Sequence, residues 1–236
     1  LDAVETARKA AAFYSTFQTR VDHEAALLRS LGATLVLGDI PPLAFAAAAA
    51  AGVPSIAIAN FTWDWIYEAY PEFDRYAPGV VQTIRDAYAA STRVLRLPFA
   101  GGFASMRTGI RDVPLVARCS TRGRDAVRTL LALPDHRPVV LASFGGHGTV
   151  MPYEEIAGVC DITLIVTERE AAADSPSSDR LRRLGHRDLE RLGLRYEDLV
   201  AAADVVVSKP GYGIVSECIA SDVSLLCSSG TSPWQT

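Results

Sequence analysis

The sequence has 236 residues, of which 49% are hydrophobic and 21% are charged, a composition typical of a globular protein with a sizeable core in one or two domains. A formal net charge of -4 at pH 7 argues against general binding to nucleic acids or membrane surfaces. No apolar run reaches the ~18 residues that span a bilayer, and the amino terminus does not resemble a signal peptide, so we expect a cytoplasmic protein.

Helical and strand-like segments alternate in the first half of the sequence. Residues 1–31 carry apolar residues at helical spacing, and an Ala-rich helical stretch at 42–51 is closed by Gly52 and Pro54. Two further helices are predicted in "TWDWIYEAY", with Thr62 as N-cap, and at residues 79–90. The predicted strands are "ATLVLGD", "PSIAIAN" and "TRVLRL". This alternation predicts a parallel sheet covered by helices on both faces.

The second half repeats the alternation after an irregular connection at residues 98–119. Its predicted helices are "RGRDAVRTLLAL", "EDLVAAA" and "YGIVSECIA". Its predicted strands are "VVLASFGG", "DITLIVT", "DVVVS" and "VSLLC". Residues 168–187 are polar and rich in Ser, Pro and Arg, which predicts a surface loop with a marginal helix. The second half is therefore also predicted to be an α/β unit with a parallel sheet.

The cysteines, the histidines and the chain ends add three expectations. The four cysteines show no C-x-x-C spacing and the four histidines are scattered, so we predict no metal site. Cys218 and Cys227 lie in apolar stretches and are predicted to be reduced core residues. Leu1 falls inside a helical pattern, and "SSGTSPWQT" follows directly on a predicted strand, so we expect the sequence to be part of a longer chain.

The stretch "SKPGYGIVSE", Ser208 to Glu217, places glycines, a lysine and a carboxylate after a predicted buried strand. Ligands of parallel α/β sheets collect at the carboxyl ends of strands, where a helix N-terminus suits a phosphate. Gly211 and Gly213 permit positive φ and the close approach of a diphosphate, and Lys209 adds a positive charge. Glu217 could accept both hydroxyls of a ribose. Alternatively, the serine and the glutamate only cap the helix.

A second glycine-containing turn, "SFGGHGTV", also follows a predicted strand. The dinucleotide fingerprint G-x-G-x-x-G fails because Met151 occupies the last glycine position, and a Walker A pattern is absent. Gly145 and Gly146 are candidate diphosphate-binding residues, or they only form a tight turn. His147 could contact a substrate or be incidental.

The stretch "NFTWDWIYEAY" clusters aromatic residues around a carboxylate, again after a strand. Aromatic faces pack on sugar rings, and Asp64 could orient a hydroxyl or act as a base. Asp39 ends another strand and could share that site. Alternatively, Trp63 and Trp65 are packing residues. The sequence has no D-x-D pair, G-x-S-x-G elbow or H-E-x-x-H motif, so we expect metal-independent, non-covalent chemistry.

Taken together, these stretches resemble the GT-B glycosyltransferase-like proteins over about residues 1–227. The greatest similarity is to the amino-terminal glycosyltransferase-like domain of L-arabinokinases and its stand-alone bacterial relatives. The motif N-F-T-W-D-W-I-Y-E-x-Y is specific to that set. The S-E pair after a glycine turn is shared more widely, with MurG-like and UDP-dependent transferases. Family members begin with a strand and a G-H-G-F-G-H-like loop that this sequence does not match.

The resemblance implies two Rossmann-like parallel-sheet domains that face a cleft. Residues 1–115 would be the acceptor-side domain without its first strand, and residues 116–236 a nucleotide-sugar-binding domain truncated at its end. The residues that match donor-side motifs of the family are Gly145, Gly146, Gly211, Tyr212, Gly213, Ser216 and Glu217. The residues that match the acceptor-side motif are Asn60, Phe61, Trp63 and Asp64.

The activity that the resemblance implies is a metal-independent, inverting transfer of sugar from a nucleotide-diphosphate sugar, with a UDP-sugar as the expected donor. Its partners would be a small-molecule donor and acceptor, without a cofactor, and Asp64 is the candidate base. Two alternatives stay open: a non-catalytic nucleotide-sugar-binding or regulatory module, and a GT-B-fold nucleotide-sugar epimerase. The epimerase would require additional carboxylates in the cleft.

Overall fold

The computed structural model describes residues 2–106, 109–144, 151–167 and 178–227. The chain divides into two units, Leu1–Leu115 (unit 1) and Val116–Thr236 (unit 2). Each unit contains one sheet whose neighbouring strands all run parallel, which confirms the predicted α/β class. Within these ranges, no helix is both long enough and apolar enough to cross a membrane.

Unit 1 carries a four-stranded sheet in the order β1-β2-β3-β4. Its strands are β1 (Val36–Gly38), β2 (Ser55–Phe61), β3 (Arg93–Gly101) and β4 (Ile110–Asp112). Its helices are α1 (Ala3–Tyr14), α2 (Phe17–Ser30), α3 (Pro42–Ala51), α4 (Trp63–Glu68), α5 (Glu72–Tyr76) and α6 (Val80–Ala89). Phe45, Ile84, Tyr88 and Val94 are fully buried in the core of the unit. As predicted, Gly52 ends α3 in a left-handed conformation, with φ 73°.

Unit 1 differs from the sequence prediction in four places. Helix α5 (Glu72–Tyr76) lies between two predicted helices and was not itself predicted. The helical pattern at 1–31 forms two helices, because the hydroxyls of Ser15 and Thr16 donate to carbonyls of the preceding turn and compete with helix continuation. The connection predicted to be irregular contains β4, a short exposed strand without an apolar pattern. Thr62 precedes α4, but its hydroxyl accepts from the N–H of Phe103 instead of capping the helix.

Unit 2 carries a five-stranded sheet in the order β7-β6-β5-β8-β9. Its strands are β5 (Val139–Ala142), β6 (Thr163–Thr167), β7 (Leu181–Leu184), β8 (Val205–Ser208) and β9 (Ser224–Cys227). Its helices are α7 (Arg124–Leu130), α8 (Tyr153–Val159), α9 (His186–Leu192), α10 (Tyr196–Ala202) and α11 (Tyr212–Ala220). The chain winds outward from β5 through β6 to β7, then returns to the other side of β5 with β8. The order therefore reverses between β5 and β8, where open parallel sheets form their ligand crevice.

Two predictions for unit 2 were wrong. Residues 181–184, expected in a surface loop, form β7 as a strand paired with β6, because main-chain pairing does not require apolar side chains at a sheet edge. Cys218 is buried as predicted, but Cys227 is exposed, since it ends β9 at the other edge of the sheet.

Candidate functional site

A pocket of about 390 Å³ lies in unit 2 where the strand order reverses, at the carboxyl ends of β5 and β8. Ser143 and Phe144 line it after β5, and the turn Ser208–Gly211 lines it after β8. Lys209, which the sequence singled out, belongs to this turn. The two glycine-containing stretches that the sequence predicted to bind a ligand thus meet at least at their first residues, Ser143 and Ser208.

Hydrogen bonds join the strand ends beneath this pocket. The N–H of Ser143 donates to the carbonyl of Val207 at 3.0 Å, and the hydroxyl of Ser208 donates to the carbonyl of Ser143 at 2.5 Å. The hydroxyl of Thr167, at the end of β6, donates to that of Ser143 at 3.3 Å. Three adjacent strands are therefore fixed to one another at the floor of the pocket.

The glycine turn leaves the pocket open. Gly211 is the N-cap of α11 and has φ -105°, and Gly213 lies in the first turn of that helix. A Cβ atom added to Gly211 or to Gly213 would meet no other atom within 4 Å. The positive φ that the sequence permits is therefore not used at Gly211. What the glycines provide is free space beside the helix N-terminus.

Glu217 lies on α11 and lines the pocket, although only 3% of its side chain is exposed. Nε of Arg118 donates to its Oε1 at 2.6 Å, and Nη2 of Arg118 lies 2.6 Å from the same oxygen. This hydrogen bond raises the pKa of the Arg118 guanidinium above its usual value. The guanidinium also lies over the ring of Tyr196, 5.7 Å from the centroid. Burial raises the pKa of Tyr196, and a hydrogen bond with Ser143 acts in the opposite direction.

Two predicted donor-side residues, Tyr212 and Ser216, do not line the pocket. The hydroxyl of Tyr212 accepts from the N–H of Val116 at 3.3 Å. Ser216 is buried, and its hydroxyl donates to the carbonyl of Gly213 at 2.8 Å. Both side chains therefore have structural partners. The candidates Gly145, Gly146 and His147 lie outside the described residues.

Unit 1 contains a separate pocket of about 280 Å³ beside Asp64, between α4, α6 and the segment after β3. Asp64 is 4% exposed, and its Oδ2 accepts from the hydroxyl of Ser105 at 2.7 Å. The Nε of Arg85 lies 3.6 Å from the same oxygen, and Nη2 of Arg85 lies 2.8 Å from Oε1 of Glu68. Among the described residues, Oδ1 of Asp64 has no hydrogen-bond partner. The carboxylate is buried with a nearby counter-charge.

An aromatic ring forms one wall of the unit 1 pocket. Trp65 is 39% exposed and packs so closely on the chain after β3 that a Cβ at Gly101 would lie 2.4 Å from its Cη2 atom. Gly102 has φ 90°, and a Cβ there would lie 2.2 Å from the Thr62 hydroxyl. Glycine is therefore required at both positions for Trp65 to hold its place.

The other acceptor-side candidates do not line the pocket beside Asp64. The rings of Phe61 and Trp63 contact each other edge to face, with centroids 5.1 Å apart, and pack against the core of unit 1. Asn60 is a partly buried residue of β2, and Asp39 is exposed directly after β1. Trp63 therefore has the packing role that the sequence left open, whereas Trp65 lines a pocket.

Comparison with known proteins finds similarity over most of the chain. No protein-family model matches the chain. The chain is 30% identical over 201 residues, 84% of its length, to L-arabinokinase from Arabidopsis thaliana, and this match spans 18% of that protein. Among solved structures, it resembles Arabidopsis thaliana UGT89C1 complexed with UDP, with a TM-score of 0.53 and 17% identity over 92% of the chain. It also resembles the Streptomyces sp. SF2575 glycosyltransferase SsfS6 complexed with thymidine diphosphate, with a TM-score of 0.55 and 16% identity over 95% of the chain.

The chain has a GT-B glycosyltransferase-like fold. It spans 60% of the UGT89C1 chain and 59% of the SsfS6 chain. In this GT-B-like chain the sequence identified the glycine turn and Glu217 but missed Arg118 and Tyr196, which line the same pocket. Arg118 lies in a segment predicted to be irregular, and no motif distinguishes it from the other arginines. Its role becomes visible only through its contact with Glu217, 99 residues further along the chain.

Proposed function

We propose that unit 2 binds a nucleotide-diphosphate sugar and that the protein is a glycosyltransferase. The observation that carries this proposal is the position of the unit 2 pocket. It lies where the strand order reverses, with an open glycine turn on one side and the buried carboxylate of Glu217 on the other. The UDP and thymidine diphosphate in two proteins of similar fold are consistent with it.

The diphosphate would bind at the N-terminus of α11. This helix has nine residues, its N-cap Gly211 leaves space for a ligand, and Lys209 lines the same pocket. Unpaired main-chain N–H groups and the positive end of the helix dipole attract phosphate oxygens. The same groups would stabilise the departing diphosphate during transfer. We therefore propose a metal-independent reaction in which Lys209 and the helix supply the positive charge.

The ribose would bind at Glu217. A carboxylate accepts hydrogen bonds from two vicinal hydroxyls, and such charge-assisted bonds are worth about 1.5–3 kcal/mol each. This preference for a 2′,3′-diol favours a ribonucleotide over a deoxyribonucleotide. Among ribonucleotide donors we propose a UDP-sugar, because a protein of similar fold has been solved in complex with UDP.

The sugar would be transferred with inversion of configuration, and unit 1 would bind the acceptor. Asp64 is the proposed base: it would take the proton of an acceptor hydroxyl as that oxygen attacks the anomeric carbon and the bond from this carbon to the diphosphate oxygen breaks. The pocket beside Asp64, with the partly exposed ring of Trp65, is suited in size and chemistry to a polyhydroxylated acceptor.

A second candidate function is nucleotide-sugar binding without turnover. One observation favours it: the proposed base Asp64 is almost fully buried and already accepts a hydrogen bond from Ser105. In this case the donor pocket of unit 2 would serve a regulatory role. The two functions share the donor site and differ in the role of Asp64.

Calorimetry with UDP and 2′-deoxy-UDP tests the donor site. We expect the wild-type protein to bind UDP more tightly than 2′-deoxy-UDP, and Glu217→Gln to weaken UDP binding about 10-fold or more and to abolish the preference. Glu190→Gln, on an exposed position of α9, is the matched control and should leave both affinities unchanged. Equal affinities in the wild-type protein and in Glu217→Gln would contradict the ribose-binding role.

Release of UDP from UDP-sugars in the presence of acceptor panels separates the two candidate functions. A transferase releases UDP, and Asp64→Asn should lower the rate by about 10²–10⁴-fold while UDP affinity is retained, as expected for loss of a general base. Ser105→Ala, which removes the hydrogen bond to Asp64 but keeps the carboxylate, should retain most of the rate. UDP binding without any turnover by the wild-type protein would favour the binding module.

A further inference from the structure

Glu217 has a counter-ion that comes from outside the glycine turn. Arg118 lies in the segment before α7, and both of its contacts with Glu217 measure 2.6 Å. We propose that Arg118 is a positioning residue of the donor site, which holds the Glu217 carboxylate in the orientation that the ribose hydroxyls require. This inference rests on the function proposed above, because it assigns a role to Arg118 in the same site.

The two side chains differ in burial, and the more buried one, Glu217, depends on the other for a counter-charge. Glu217 is 3% exposed, whereas Arg118 is 63% exposed. Burial strongly disfavours an ionised carboxyl unless a partner compensates for the lost hydration. Arg118 can reach water and still neutralise Glu217, so the cost of dehydration is carried mainly by the glutamate. Without Arg118, the carboxyl would be left buried and uncompensated.

The contact geometry leaves room for a ligand. Nε and Nη2 of Arg118 both approach Oε1 of Glu217, and neither of these contacts uses Oε2. The guanidinium is also held over the ring of Tyr196, which limits its rotation. A carboxylate held through one oxygen keeps lone pairs for ribose hydroxyls while its orientation stays fixed. Arg118 is therefore placed to support Glu217 without replacing the sugar.

Other charged and titratable groups near the pair do not substitute for Arg118. Tyr196 on α10 and Cys218 on α11 interact electrostatically with Glu217, and both are neutral near pH 7. Glu197 on α10 is an anion that acts on Arg118. Lys209 lines the same pocket from the glycine turn, where the diphosphate is expected. Among these groups, Arg118 alone is a cation with a direct contact to Glu217.

Loss of the counter-ion should weaken recognition of the ribose diol. In Arg118→Gln, the Glu217 carboxyl group loses the guanidinium that contacts its Oε1, so its orientation toward the two hydroxyls is no longer fixed. The variant should therefore lose most of the preference for UDP over 2′-deoxy-UDP. Arg118→Lys keeps a cation and should restore part of this preference.

The experiment is calorimetry with UDP and 2′-deoxy-UDP at a single pH. We expect the ratio of the two affinities to fall about 10-fold in Arg118→Gln relative to the wild-type protein, and to fall less in Arg118→Lys. The matched control is Arg122→Gln, which removes a charge from the same segment where Arg122 contacts Gly193, and it should leave both affinities unchanged.

A double-variant cycle gives an independent measurement. Because Arg118 is proposed to act through Glu217, Arg118→Gln should lower UDP affinity when Glu217 is present and have little further effect when Glu217→Gln is already in place. Thermal unfolding without ligand shows that each variant is folded.

The possible outcomes separate this inference from the proposed function. A preference for UDP over 2′-deoxy-UDP that is as strong in Arg118→Gln as in the wild-type protein would overturn the role of Arg118 and leave the donor site in place. An effect of Arg118→Gln on UDP affinity that is the same with and without Glu217→Gln would also overturn it. Absence of UDP binding by the wild-type protein would overturn the proposed function and this inference with it.

Discussion

The hydroxyl of Tyr88 donates a 2.9 Å hydrogen bond to the main-chain carbonyl of Ile40. The same oxygen accepts from the N–H of Trp63 at 3.3 Å. Ile40 has φ 61°, a left-handed conformation that is unfavourable for a β-branched residue. Tyr88 is fully buried on α6, so one side chain ties the segment after β1 to the start of α4. These two segments carry the acceptor-side candidates Asp39 and Asp64.

Tyr88→Phe should destabilise unit 1 while its ring remains in the core. The change leaves the buried carbonyl of Ile40 and the N–H of Trp63 without this partner, which costs about 1–3 kcal/mol. Urea unfolding measures the difference. Tyr76→Phe is the control, because the ring of Tyr76 packs beneath Arg8 and Arg75, and it should change stability by less than about 0.5 kcal/mol. Equal effects of the two changes would contradict the bridging role of Tyr88.

Gly213→Ala should stabilise the fold and weaken nucleotide binding. Alanine in a helix is favoured over glycine by about 0.5–1 kcal/mol, and the added methyl group meets no protein atom at this position. The methyl group would instead occupy the free space proposed for the diphosphate. Thermal unfolding and UDP calorimetry measure the two effects.

The matched control for this prediction is Gly158→Ala in α8, where an added Cβ also meets no protein atom within 4 Å. It should leave UDP affinity unchanged, because Gly158 does not line the donor pocket. Undiminished UDP affinity in Gly213→Ala would place the diphosphate elsewhere.

Asp204→Asn should weaken unit 2 in a pH-dependent way. Asp204 accepts from the N–H of Val139 at 2.7 Å and from Nη2 of Arg128 at 2.8 Å, and it also pairs with Arg124. Burial acts to raise the pKa of Asp204, but these hydrogen bonds and charges outweigh it and lower the pKa below its usual value. Because about a third of the side chain is exposed and solvent screens the charges, we expect a loss of about 1 kcal/mol at pH 7.

The sign of this pH dependence follows from the lowered pKa. Asp204 contributes stability above the unfolded value near 4, and this contribution is lost as pH falls through the lower folded value. The stability difference between the wild-type protein and Asp204→Asn should therefore shrink below about pH 4. Urea unfolding at pH 7 and at lower pH measures it, with the exposed Asp135→Asn as control. A difference that does not change with pH would show that charge is not involved.

The alternation of helices and strands was predictable because it depends on local patterns. An apolar run such as "DVVVS" indicates a strand, and the spacing of apolar residues around Ile84 indicates a helix. Each pattern is complete within a short stretch of sequence. Strands β4 and β7 escaped prediction, because they are short edge strands with polar residues whose pairing depends on a neighbouring strand. The break between α1 and α2 arises from two hydroxyls that a periodicity count ignores.

The candidate donor site was likewise predictable only in part. The turn Lys209–Gly213 and the helix that follows are contiguous in sequence, so a strand followed by glycines was enough to indicate a ligand site. The partners of the two candidate carboxylates, Glu217 and Asp64, are far away along the chain. Arg118 contacts Glu217 across 99 residues, and Ser105 contacts Asp64 across 41. Pairings of this kind depend on how strands and connections come together in three dimensions, so only the folded chain assigns Glu217 a counter-ion and places Trp65, not Trp63, beside a pocket.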